Sequence, residues 1–358
     1  MRLVNEPAPP SPLVAALEVA GAVLVWTVTD PADDVQVAFT DPDRADWLWR
    51  LVGTEGHLAI ASGADVGGVD VVPGSLAPLH RLAVGHWLRR WWPASRRDGI
   101  PGLDAALLDV EVALLTVAAQ AFFSDDTLDS DVAGLLAPHA VTLIALLGSG
   151  DRRVRELVRA GAELAEEIGV DGIGWAELFA AVDDSASAPA LQQRRRDDYA
   201  LAAGSDAGPG IAAAIGRGVA SINWAAVPPG IFDAAEDTVD WRVTAAGPTV
   251  IAEVRAALIG PHPATDITVR VRSGNVTGTA ALDARGRAAV ALFDRRQHAL
   301  TESEAWDHDW PSTSVVVGAD VSEPREIRDR IRRWVRARLD EPPQDAFLAE
   351  ILAAESSY

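Results

Sequence analysis

Arginine and tryptophan alternate in one short segment whose side chains could bind an anion, a nucleotide base or an acidic peptide. Residues 86–93 read His-Trp-Leu-Arg-Arg-Trp-Trp-Pro, and two further arginines follow within four residues. Guanidinium planes stack on indoles and pair with carboxylates or phosphates. The alternative is structural, because tryptophans at the end of a helix commonly anchor a hydrophobic core. The candidate ligand cluster consists of Trp87, Arg89, Arg90, Trp91, Trp92, Arg96 and Arg97.

Carboxylates in the following segment could act on the same ligand. Residues 107–115 are apolar almost all round, yet they include Asp109 and Glu111. Asp104 precedes Glu111 by seven residues, so these two carboxylates share one helix face. A carboxylate in dry surroundings needs a cationic partner, or its pKa rises. We therefore predict that Glu111 or Asp104 pairs with an arginine of the candidate cluster. A structural salt bridge is favoured over a catalytic acid–base pair. The arginines available for this pairing are Arg89, Arg90, Arg96 and Arg97.

A third motif, Asp307-His308-Asp309, has the oxygen and imidazole ligands of a divalent-metal site. This composition motivates one hypothesis, a metal-dependent hydrolase centred on the three residues. Three adjacent side chains cannot easily face one ion, however, and no His-Glu-x-x-His motif supplies a further ligand. The alternative is a loop whose flanking residues, Trp306 and Trp310, fill the core of a β domain.

The last long helical segment, 323–339, is both amphipathic and basic. Apolar residues recur at helical spacing along one face, and seven arginines occur from Arg325 to Arg338. Such a helix either folds back on the acidic body of its own chain or docks on an acidic partner protein. The candidate partner-binding residues are Arg325, Arg328, Arg332, Trp334 and Arg336.

The chain contains no lysine and no cysteine, so all 31 of its basic residues are arginines. This composition excludes a P-loop lysine, a Schiff-base lysine, a thiol nucleophile, cysteine-ligated metals and disulfides. We predict no cofactor. The absence of cysteine fits a reducing compartment, so we expect a cytoplasmic protein, and the arginine- and alanine-rich usage is typical of a bacterium with a GC-rich genome.

The net charge is −21, and it is unevenly distributed. Residues 101–200 have 18 acidic side chains and 7 arginines, a net charge of −11. Because phosphate groups would be repelled, nucleic acids and anionic membranes are poor partners. The apolar stretches Leu13–Trp26 and Gly134–Leu147 are too short to span a membrane, so we predict that both are buried core elements.

Periodicity and turn residues predict a multidomain α+β protein. We expect an N-terminal α+β domain with a helical bulk at 1–183, a linker at 184–218, and an antiparallel β-sandwich closed by the basic helix at 219–358. Helices are predicted at 76–92, 101–123, 131–147, 151–169, 174–182, 323–339 and 345–355. Strands are predicted at 17–28, 35–39, 57–62, 69–72, 239–244, 249–258, 267–273, 276–283, 288–293 and 313–317.

No catalytic motif stands out, so the leading hypothesis is a non-catalytic adaptor or scaffold in a multi-protein bacterial system. The alternative is an enzyme or a small-ligand sensor that uses the segment 87–97 together with Asp104 and Glu111. The metal-dependent hydrolase is the third hypothesis. The second hypothesis uses the segment 87–97 and the third uses Asp307, His308 and Asp309, whereas the first is favoured by the basic helix 323–339.

Overall fold

The computed structural model describes residues 1–61, 70–120, 123, 129–187, 214–321 and 323–356, and it has the predicted mixed α+β fold. Its contacts form two compact units. The first contains described residues of 1–91, 103–194 and 329–358, and the second those of 92–102 and 195–328. Residues 188–213 of the predicted linker lie outside the described residues, and the domain boundaries at 183 and 219 remain a prediction.

A four-stranded sheet opens the first unit, with strand order β1-β4-β3-β2. β1 pairs with β4 in parallel, and the other pairs are antiparallel. The predicted single strand at 17–28 is wrong, because β2 and β3 form a hairpin that reverses around Gly21, at φ +74°. The strands are β1 (Arg2–Val4), β2 (Val14–Val19), β3 (Ala22–Thr27) and β4 (Gln36–Phe39).

Helices make up most of the first unit. Within the described ranges, no helix is long and apolar enough to cross a membrane. Their bounds are α1 (Trp49–Ala61), α2 (Ala77–Trp91), α3 (Ala105–Gln120), α4 (Asp129–Leu136), α5 (Ala140–Leu147), α6 (Arg152–Glu167) and α7 (Trp175–Ser187).

Three sequence predictions in this unit need correction. The predicted strand at 57–62 overlaps α1, because the apolar run there continues a helix that is kinked at Gly53. The predicted helix at 131–147 is two helices separated by a 3-10 turn, since Pro138 has no N–H for a continuous helix. The predicted helix at 101–123 corresponds to α3, which begins four residues later, at Ala105. The Asp104 carboxylate caps it there by accepting a 3.0 Å hydrogen bond from the Leu107 N–H.

The core of the first unit is rich in tryptophan. Trp26, Trp47 and Trp87 are fully buried, and each indole N–H donates to a backbone carbonyl. A buried indole without an acceptor would lose the hydrogen bond that it makes to water. These hydrogen bonds therefore fix the hairpin and loop carbonyls that accept them, at Ala32, Ala20 and Pro12.

The second unit contains two antiparallel sheets, with strand orders β10-β7-β6-β5 and β11-β8-β9. The sequence analysis missed β5, because Gly216 and Gly218 are poor strand formers. Both glycines are needed, since a Cβ at either position would lie 2.5 Å from a tryptophan ring. The strands are β5 (Gly216–Ala220), β6 (Val239–Ala246), β7 (Thr249–Ala256), β8 (Thr268–Ser273), β9 (Val276–Ala281), β10 (Arg287–Ala291) and β11 (Ser314–Val317).

Three further α-helices lie in the C-terminal part of the chain, the first of them before β11. They are α8 (Glu302–Trp306), α9 (Arg325–Asp340) and α10 (Leu348–Ser356). α9 corresponds to the predicted basic helix. The boundary between the two units falls within α9, after Arg328.

Gly278 in β9 offers a test of the packing in the second unit. A Cβ at this position would lie 2.3 Å from the Ala291 carbonyl oxygen, and that backbone atom belongs to a paired strand. Gly278→Ala is expected to lower the free energy of unfolding by about 1–3 kcal/mol. Gly102→Ala is the control, because no atom lies within 4 Å of its Cβ position. Urea unfolding followed by circular dichroism measures both, and equal losses for the two variants would contradict this packing.

Candidate functional site

The structure divides the predicted arginine–tryptophan cluster between the two units. Residues up to Trp91 belong to the first unit, whereas Trp92, Arg96 and Arg97 belong to the second. Each part is therefore described with its own unit. The sequence analysis could not foresee this division, because the residues are contiguous.

In the first unit, Asp109 joins an arginine and a histidine. Arg89 Nε lies 2.5 Å from Asp109 Oδ1, and His139 Nε2 lies 2.8 Å from Asp109 Oδ2. α2 supplies the arginine, α3 the aspartate, and the 3-10 turn before α5 the histidine. No partner was predicted for Asp109, and His139 was not predicted as a site residue. This triad places an imidazole against a buried carboxylate, an arrangement that can orient a histidine for proton transfer.

Glu111 has a different partner from the one predicted. Its carboxylate pairs with Arg81, on α2, and also accepts a 2.8 Å hydrogen bond from the Leu348 N–H at the start of α10. The prediction was wrong because it considered only arginines near Glu111 in sequence, and Arg81 lies about two helical turns before Arg89. Asp104 caps α3. The two carboxylates therefore do not converge with the cluster arginines as one site.

Burial raises the pKa of Glu111, although the Leu348 N–H and Arg81 oppose the shift; Glu350 adds to it. A folded-state pKa above the usual value means that the folded chain binds this proton more tightly than the unfolded chain does. The contribution of Glu111 to stability is therefore greatest at low pH, and it falls as pH rises through the folded-state pKa.

Glu111→Gln is expected to remove this dependence. The difference in unfolding free energy, wild type minus variant, should fall as pH rises from about 4 to about 8. Urea unfolding of both proteins across that range measures the difference. A difference that stays constant, or that grows with pH, would show that the burial of Glu111 does not control its titration.

The remaining tryptophans of the segment have structural contacts. Trp87 packs edge to face against Trp334, with 5.2 Å between ring centroids, and Arg90 lies 4.2 Å above the Trp91 ring. In the second unit, the Trp92 indole donates a 2.8 Å hydrogen bond to the Pro101 carbonyl. The stacking of Arg90 on Trp91 is therefore a contact within the chain.

Arg96 and Arg97 organise a turn of the second unit. Their backbone N–H groups donate to Asp233 Oδ2 at 2.9 and 3.4 Å. The Arg97 guanidinium donates to the carbonyls of Glu236 and Asp237, at 3.0 and 2.8 Å. These contacts connect the segment after α2 to residues 233–237.

Two of the predicted partner-binding arginines on α9 lie in the interior. Arg328 and Arg332 are buried, and Trp334 packs on Trp87. Arg328 forms a two-point contact with Glu236, at 2.8 and 2.9 Å, and lies 3.4 Å from Glu323. A desolvated guanidinium needs such carboxylates, so these residues face their own chain. Arg325 and Arg336 are exposed.

The Asp307-His308-Asp309 motif does not form a cluster of metal ligands. His308 Nε2 lies 2.9 Å from the hydroxyl of Ser273, a buried residue of β8, while Asp307 and Asp309 are exposed. Across the described ranges, no three His, Cys, Asp or Glu side chains are placed to hold a metal ion. Trp310 fills the core as expected, but Trp306 is exposed.

The sequence analysis also missed an apolar surface in the first unit. The stretch 134–147 was predicted to be a buried core element, yet Val141 is 64% exposed and Ala145 is also exposed. Ile173, in the loop before α7, is 93% exposed. That loop lies beside the start of α5, because a Cβ on Gly174 would be 3.2 Å from Ala140 and Val141. We call Val141, Ala145 and Ile173 the α5 surface.

Acidic side chains flank the α5 surface. No Asp, Glu or Arg occurs from 132 to 150, whereas Asp171 and Glu177 lie on either side of Ile173 in the sequence and both are exposed. Of the arginines on α6, Arg152 pairs with Glu156 and Arg153 with both Asp151 and Glu355, whereas the buried Nε atoms of Arg155 and Arg159 have no hydrogen-bond partner among the described residues. The α5 surface is thus an uncharged patch with two exposed carboxylates, Asp171 and Glu177, close to Ile173 in the sequence.

Comparison with known proteins gives no family for this chain. No family model, no curated protein and no solved structure matches it.

Proposed function

We propose that this chain is a non-catalytic protein-interaction component, an adaptor or scaffold, of a multi-protein bacterial system. The observation that supports the proposal is the α5 surface. An exposed isoleucine beside an uncharged helix, rimmed by polar residues, is typical of a protein-binding site in a water-soluble domain. The ion pair of Arg89, a member of the candidate ligand cluster, agrees with it, because this arginine already has the carboxylate of Asp109 as its partner.

Capture of partners by the immobilised chain tests this function. The bait is the full chain, exposed to a lysate of the organism that encodes it. The test variant replaces both Val141 and Ile173 with serine, and the matched control is Val219→Ser, at a residue that is 54% exposed on β5. We expect a stoichiometric partner on the wild type and the control, reduced at least about tenfold on the test variant. Equal capture by all three would reject the α5 surface as the binding site.

A second candidate function rests on the Arg89–Asp109–His139 triad. Here the chain binds a small anion or acts on it, with Arg89 as the cation and His139 as the proton carrier that Asp109 orients. Calorimetric titration with inorganic phosphate tests it. Binding to the wild type that is lost in Arg89→Gln supports this function, and no heat of binding to the wild type rejects it.

We propose that the two antiparallel sheets form a β-sandwich; the alternation of buried and exposed residues along β6 and β7 supports this arrangement. We also propose a cytoplasmic location, because the chain has no cysteine to oxidise. The partner is a protein in preference to a nucleic acid, since the net charge is −21.

A further inference from the structure

We infer that the α5 surface receives a basic amphipathic helix of another protein. This inference rests on the proposed function, and it adds the chemistry of the partner. The α5 surface supplies the apolar contact and its acidic flanks supply the charge. A helix with one apolar face and with lysines or arginines beside that face matches both features.

The arrangement of exposed residues on α5 and α7 favours a helical partner. Val141 and Ala145 are exposed one turn apart on α5, and Ala176 and Ala180 are exposed one turn apart on α7. The two helices pack against each other, and each has two exposed apolar residues one helical turn apart. A helix buries its apolar face by laying residues at the same spacing along such rows.

The charge around the α5 surface favours a basic partner. Asp171 and Glu177 flank Ile173, and residues 101–200 have a net charge of −11. A second copy of this chain would bring the same acidic residues against themselves, and a nucleic acid would bring phosphates. Both arrangements juxtapose like charges, whereas a basic helix lowers the electrostatic energy and speeds the encounter.

The test uses a 14-residue peptide of leucine and lysine, with leucine on one helical face, labelled for fluorescence anisotropy. A peptide with glutamate in place of lysine is the comparison. We expect the lysine peptide to bind the full chain and the glutamate peptide not to bind. Replacing Val141 and Ile173 with serine should weaken binding about tenfold, and Val219→Ser should leave it unchanged.

A second pair of variants separates the local charge from the total charge. Asp171→Asn with Glu177→Gln removes two charges beside the α5 surface, and Asp240→Asn with Asp307→Asn removes two exposed charges in the second unit. We expect the first pair to weaken binding at least about threefold and the second pair to have no effect. Equal effects would mean that the acidic chain attracts the peptide without a site, and they would overturn the inference.

Other outcomes distinguish this inference from the proposed function. If the lysine peptide does not bind, while a captured protein is lost with the Val141 and Ile173 variant, the adaptor function stands and the basic helix is rejected. If neither ligand responds to that variant, both proposals fail. Sedimentation velocity reveals the remaining case, a wild-type dimer that becomes a monomer in the variant, which would make the α5 surface a self-interface and overturn the inference.

Discussion

Trp87→Ala is expected to lower the free energy of unfolding by about 3–5 kcal/mol. The side chain is 2% exposed, its indole N–H donates a 2.8 Å hydrogen bond to the Pro12 carbonyl, and its ring packs edge to face on Trp334. Alanine therefore leaves a cavity, an unpaired carbonyl and a tryptophan without its neighbour. Urea unfolding at neutral pH, followed by circular dichroism, measures the loss.

Trp49→Ala is the control for Trp87, because Trp49 is 51% exposed in the same unit. We expect its effect to stay within about 0.5 kcal/mol, as for most surface substitutions. A loss at Trp87 no larger than the loss at Trp49 would contradict a core role. In that event the tryptophans of the 87–97 segment would again be candidates for ligand binding.

Arg328→Met is expected to lower the free energy of unfolding by about 3–5 kcal/mol at neutral pH. Burial disfavours the charged form of Arg328, but Glu236 and Glu323 outweigh burial and raise the pKa of the guanidinium. Methionine keeps the apolar stem and removes the charge, so Glu236 and Glu323 lose the guanidinium that pairs with them. Urea unfolding measures the loss, and Arg333→Met, on the exposed side of α9, is the control, with an expected change within about 0.5 kcal/mol.

The loss in Arg328→Met should shrink as pH falls. Burial already raises the pKa of Glu323, while the Ala225 N–H and Arg328 oppose the shift. Without the arginine, that pKa rises further in the folded variant, and protonation relieves the unpaired charge at mildly acidic pH. A loss that is independent of pH between about 5 and about 8 would show that the carboxylates are hydrated in the variant.

The local periodicity of apolar residues was sufficient to predict most of the long helices and strands. The predicted helices at 76–92, 151–169 and 323–339 correspond to α2, α6 and α9, because each has a continuous apolar face at helical spacing. Strands β6 to β11 followed from alternation and turn residues, whereas β5 did not. Errors occurred where a short apolar run fits two periods, as at 57–62, or where one glycine reverses the chain, as at Gly21.

The candidate site was less predictable than the fold. Arg81 and Glu111 are 30 residues apart, and Arg328 and Glu236 are 92 apart. No local pattern connects such residues, because the pairing depends on which helices and loops pack together. The place of His139 in the site could not be predicted from the sequence either. A single histidine acquires such a role only when a buried carboxylate is placed beside it.

The sequence by itself determined the chemistry of the contacts. With no lysine in the chain, arginine supplies every permanently cationic side chain, and the acidic excess supplies its partners. Only the tertiary structure decided which contacts form and which apolar residues are left exposed. Arg328 is an interior residue, and Val141 is a surface residue although the stretch 134–147 was expected to be buried, because burial is a property of packed elements and not of a residue's own hydropathy.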